Sequence, residues 1–186
     1  MPRFTFLFAL AFIAMLGTQT TLAHAQNTGI ENTTSPTENR QPSVITQNFA
    51  AHLSRHITYQ LRSGEVAINR AERKDVRDFA QQMIVDFRAL GTELDETLTN
   101  AQVEYYPPQT LTEDQLTTMG ILRRMNQNDF DERYINDQED VLKQMVTLTT
   151  SYAQTGDLAE LKRLAARIAP TLRQHEQWIS QLNSIE

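Results

Sequence analysis

From Ser43 onward the sequence predicts an all-α protein, an antiparallel four-helix bundle with an additional short helix. Three observations carry that expectation. Apolar residues recur at steps of three and four, the period of an amphipathic helix, and nowhere alternate with polar ones as in a half-buried strand. The breaks in this pattern fall on helix-ending residues, above all Pro107 and Pro108. The segments between breaks are long, and long helices joined by short connections pack as antiparallel neighbours.

In order along the chain, Ile45, Phe49, Leu53, Ile57, Leu61, Gly64 and Ile68 mark a first helix ending near Ala71. Val76, Phe79, Ala80, Met83, Phe87, Leu90, Leu94, Leu98 and Ala101 form the clearest stripe, that of a long second helix. "EYYPPQTL" is a connection, because neither proline continues a helix and each biases its predecessor towards extended geometry. Thr112 and Gln115 fit a capping box that opens a short helix through Leu116, Met119, Leu122 and Met125. "NQND" then interrupts the pattern. Phe130, Tyr134, Val141, Leu142, Met145, Leu148 and Tyr152 carry a fourth helix to a C-cap at Gly156. Asp157 with Glu160 reads as a second capping box, opening a last helix through Leu158, Leu161, Ala165, Ile168, Leu172, His175, Ile179 and Leu182. Pro170 is expected to kink it.

Ahead of the bundle, Arg3, the apolar run Phe4 to Leu16 and Ala23-His24-Ala25 have the form of a secretory signal peptide covering residues 1–25. The run is too short to span a membrane, and no later stretch is longer, so no transmembrane segment is expected after cleavage. Residues 26–42 are polar and proline-containing and read as a flexible leader; the bundle domain is 43–186. Cysteine is absent, so stability has to come from packing alone. Loss of residues 1–25 removes only Arg3 among the charged groups, taking the formal charge from −6 to −7. That acidic balance, with the basic residues of the last helix interspersed with acids, speaks against nucleic acid as a partner.

Chemistry in a bundle comes from polar residues on the inner stripes. Glu-x-x-His and Asp-x-x-His, the spacing of di-metal carboxylate bundles, are absent, as are a Gly-x-Ser-x-Gly elbow and a glycine-rich phosphate loop. His175 is on the last stripe, between Leu172 and Ile179, and Gln60 and Gln138 fall on or beside the stripes of the first and fourth long segments. These three form a candidate polar core site, with either glutamine placed to hydrogen-bond the histidine. His52 and His56 are spaced i, i+4 but lie beside the stripe, with no acidic residue one turn away and with Arg55 and Arg62 on the same helix. They read as a surface pair with at most adventitious metal binding.

"GEVAINRAERKDVRDFAQQMIVDF", "NDFDERY" and "LKRLAARIAPTLRQH", in that order over about residues 45–182, resemble the DUF4142 family of exported bacterial proteins. The resemblance implies a ferritin-like bundle in the periplasm or associated with the outer membrane, and no established activity. Of the polar residues usual in the family, this chain keeps His175; Gln60, Phe87, Gln115 and Leu142 stand where the family has Glu or His. The expected function is therefore binding or structural, without catalysis or cofactor, the partner being an envelope protein or ligand. The alternative is a ferritin-like protein that binds a transition metal through His175 with Asp86 or Glu93, or through His52 and His56.

Overall fold

The computed structural model describes residues 41–184. Its helices are α1 (Val44–Arg70), α2 (Lys74–Asn100), α3 (Glu113–Arg124), α4 (Gln127–Thr155) and α5 (Ala159–Asn183). No β-strand occurs among the described residues. The signal peptide expected at 1–25 and most of the leader expected at 26–42 lie outside them. None of the described helices is long and apolar enough to cross a membrane.

Contacts between helices fix their directions. Thr46, in the first turn of α1, meets the Tyr152 hydroxyl near the end of α4 at 2.7 Å, and Gln127 at the start of α4 donates to the carbonyl of Arg70 at the end of α1. These two helices are thus antiparallel. In α2 and α5, Arg73 donates to the Leu182 carbonyl at 3.1 Å while Glu93 pairs with Arg167, which makes them antiparallel too. Asn183 meets Asn136 and Arg173 meets Thr150, so α5 runs against α4. It follows that α2 and α4 are parallel, and the chain has to travel the length of the bundle between them. Residues 101–112 and α3 make that passage, with α3 lying against α1 and α4. One long crossover of this kind is characteristic of ferritin-like bundles.

Local chemistry sets the ends of the elements. Ser43 caps α1, accepting from the Thr46 amide at 3.1 Å, and Thr112 and Gln115 form the expected capping box on α3. At the end of α2, Gln102 adopts φ 54°, the Val103 amide reaches back to the Leu98 carbonyl and the Gln102 amide to Thr99. This is a Schellman stop built on a glutamine in place of the usual glycine, with Val103 and Leu98 both buried. Arg70 ends α3 from outside: its guanidinium donates to the carbonyls of Leu122, Arg123 and Met125 and lies 4.8 Å from the centre of the Phe130 ring. Arg70→Met is expected to cost about 1–3 kcal/mol, because it orphans several of those carbonyls; urea unfolding measures it.

Two expectations need correction. The interruption at "NQND" shrinks to Met125 and Asn126, as Asn126 caps α4 and Gln127, Asn128 and Asp129 already form its first turn, where Asp129 suits the positive end of the helix dipole. Asp157 and Glu160 make no capping box: Leu158 is the N-cap of α5, and the Asp157 carboxylate instead accepts from Thr46 Oγ1 at 2.8 Å, tying the α4–α5 connection to α1. Pro170 lies inside α5, which continues past it to Asn183. Both Pro170 and Ala166, whose carbonyl loses its helical donor, are on the exposed side.

Gly156 is the C-cap of α4, in an extended conformation open to any residue. Space requires the glycine: a Cβ there would stand 2.5 Å from the Tyr152 ring and 2.6 Å from the Tyr152 carbonyl oxygen. Tyr152 in turn stacks on Phe49, with ring centres 3.9 Å apart. Gly156→Ala is expected to lower stability by about 1–3 kcal/mol through that collision, and a melting curve checks it.

Candidate functional site

His175 sits on the apolar stripe of α5 and is buried, yet it lies at the seam with α2 and not among the polar residues of α1 and α4. Its Nε2 is 3.2 Å from Asp86 Oδ2, and Gln82 donates to the other Asp86 oxygen at 2.9 Å. Burial pushes the imidazole pKa below its ordinary value, with the Asp86 carboxylate pulling the other way. The groove beside it, of about 270 Å³, is floored by Phe87, Leu90, Ile168 and Leu172. Glu93 at its edge is already paired with Arg167.

The two glutamines do not join His175. Gln138 donates to Ser63 Oγ at 3.0 Å, Ser63 donates to the Gln60 backbone carbonyl, and neither polar atom of the Gln60 side chain has a partner. Both glutamines are completely buried between α1 and α4. The site drawn from the sequence therefore divides in two, because the stripe of α5 that carries His175 faces α2 where the polar pair needed it to face α1. Phe87 and Leu142 are buried as packing residues.

The histidine pair behaves differently from the surface pair expected. His52 is exposed, whereas His56 is largely covered and its Nδ1 is buried without a partner. Its pKa is pushed down to about 4, chiefly by burial and secondarily by His52, so the ring is neutral at pH 7. The acidic residues that α1 lacks within a turn of this pair are supplied by its neighbours: Asp114 from the first turn of α3, Asp137 and Asp140 from α4. With Tyr59, Arg55, Thr118 and Gln144 they line a cleft of about 340 Å³ at the α1, α3 and α4 junction.

Tyr59 is the residue that sequence reasoning missed. It is 1% exposed and its hydroxyl has no partner, and burial raises its pKa with Asp137 adding to the effect. Asp137 binds Arg133 through Oδ1 at 2.8 Å, while its Oδ2 is buried and unpartnered. Burial raises the Asp137 pKa against the pull of Arg133. The available signal was the spacing: Tyr59 follows His56 by three residues and so shares its face of the helix. No group of three or more His, Asp or Glu side chains placed to hold a metal occurs among the described residues.

The family model of DUF4142, a domain of unknown function, matches residues 31–182. The chain belongs to the DUF4142 family. This DUF4142 protein is also similar in fold to the crystal structure of a DUF305 fragment from Deinococcus radiodurans. That alignment has a TM-score of 0.66 at 14% identity and covers 78% of this chain and 99% of the fragment. At that identity the likeness concerns the helical architecture alone. No protein of curated function matches the DUF4142 chain significantly.

Proposed function

We propose that the protein is an exported, non-catalytic binding protein of the bacterial cell envelope whose ligand site is the cleft between α1, α3 and α4. One observation carries the reading: His56 Nδ1, Tyr59 Oη and Asp137 Oδ2 are all buried, all without partners, and all on residues lining that one cleft. Buried polar groups ordinarily find hydrogen-bond partners, and leaving one unmade costs about 1–3 kcal/mol. Three at one cleft describe a site whose partner comes from outside the chain. Export rests on the signal-peptide pattern of residues 1–25, and the absence of a catalytic motif fits binding without turnover.

Native mass spectrometry of protein recovered from the periplasmic fraction tests this. The expected result is a chain beginning at Gln26 with a small molecule bound non-covalently, which is lost when Tyr59 is replaced by Phe. Recovery only from the cytoplasm with an intact N-terminus would overturn the export reading, and a bound molecule indifferent to Tyr59 would move the site elsewhere.

A further inference from the structure

We infer that the cleft binds the ammonium group of a small primary amine, with Asp137 Oδ2, Tyr59 Oη and His56 Nδ1 as its acceptors; this rests on the reading of the cleft as a ligand site. The argument begins with what each atom offers. An ionised carboxylate oxygen only accepts, the ring nitrogen of a neutral imidazole that lacks the proton accepts, and a phenol oxygen can do so. An ammonium group has three donors and no acceptor, which is the complement of that set.

Their placement is consistent with a single guest. Tyr59 stands one helical turn beyond His56 on α1, it lines the same cleft as Asp137 of α4, and the Asp137 charge helps to raise its pKa. Tyr59 is also 1% exposed, so its unpartnered hydroxyl is not answered by bulk water. Charge points the same way. Three carboxylates, Asp114, Asp137 and Asp140, line the cleft against one guanidinium, Arg55. Neither Asp114 nor Asp140 forms an ion pair among the described residues, whereas Arg133 is held on the other oxygen of Asp137, Oδ1.

Other ligand chemistries fit less well. An anion would meet the three carboxylates, and the α3 N-terminus offers it little, since Thr112 and Gln115 already form the capping box and Glu113 and Asp114 occupy the first turn. A neutral hydroxyl compound would satisfy hydrogen bonds while leaving Asp114 and Asp140, the cleft carboxylates outside any ion pair among the described residues, without a countercharge. The cleft volume, about 340 Å³, holds a short aliphatic chain whose far end reaches the acidic residues nearer the rim. A diamine would thus use both the inner acceptors and Asp114 or Asp140.

The test is calorimetric titration of the purified protein with diaminobutane, butylamine, butanol and butyrate, which share a carbon skeleton and differ in the charge they carry. Saturable one-to-one binding of the two amines, tighter for the diamine, is the expected result, with butanol and butyrate silent. Tyr59→Phe should weaken the amines by about three- to tenfold without lowering the melting temperature, because the hydroxyl it removes bonds to nothing in the protein. Asp137→Asn should weaken them by more than about tenfold. Binding of butanol or butyrate in place of the amines, lost in Tyr59→Phe, would overturn the ammonium assignment and leave the cleft a ligand site. Amine binding unaffected by both variants would overturn the assignment of the acceptors, and silence of all four compounds would overturn the inference.

Discussion

Phe79→Ala is expected to lower the stability of the bundle by about 3–5 kcal/mol. Phe79 is completely buried on α2. Its ring meets Trp178 of α5 edge-on with centres 5.1 Å apart, and Tyr134 of α4 at 6.5 Å and a similarly steep angle. Truncation removes more than transfer energy, because it leaves a void between three helices and deprives two aromatic neighbours of a partner. Helices held by long-range packing cannot close such a void by a local adjustment. Denaturant unfolding followed by circular dichroism gives the number, and a loss under about 1 kcal/mol would mean that this layer repacks freely.

The second large effect is a loss of stability in mild acid, centred on His56. In the unfolded chain this histidine titrates near 6.5, and in the folded protein near 4. Above pH 6.5 it is neutral in both states and costs nothing. Between 6.5 and about 4 the unfolded chain takes up a proton that the folded one refuses, so folding weakens by about 1.4 kcal/mol per pH unit, or about 3 kcal/mol over the window. His175 has the same sign, as burial lowers its pKa as well. Asp137 opposes them: its pKa is raised on folding, so from that raised value down towards 3.8 it adds stability as the pH falls. The other charged groups around His56 are His52 and Arg55 on α1, Asp114 on α3 and Asp140 on α4. His56→Leu should therefore flatten most of the acid slope, which unfolding midpoints measured above and below the window would show. A slope unchanged in that variant would assign it to other groups.

The fold was legible because its determinants are local. The stripe from Val76 to Leu98 is buried as its period requires, and the proline pair and the Thr112 capping box stand where they were read. Ends fixed by distant side chains were not legible: Arg70 closes α3 from another helix, and Asp157 was drawn from its expected cap by Thr46 of α1. Gln102 could not be recognised as a stop, since a glutamine with positive φ carries no signal in composition. The site follows the same division. His56 was noticed as half of a pair, but its burial and the Asp137 carboxylate near it depend on α3 and α4 covering a second face of α1, which the single stripe of Phe49, Leu53 and Ile57 does not announce.

The crossover has a consequence for how the chain comes together. α1 with α2, and α4 with α5, are hairpins closed by connections of three residues each, and such neighbouring pairs form before distant ones. Their mutual docking is a long-range event whose loop is the strap of residues 101–112 with α3, and closing that loop carries most of the chain-entropy penalty. The strap is also a wall of the polar cleft, through Thr112, Asp114, Gln115 and Thr118. The cleft is therefore among the last features to exist during refolding, and a ligand held there would secure the one long-range join in the molecule. A guest in that position would slow unfolding more than it hastens folding.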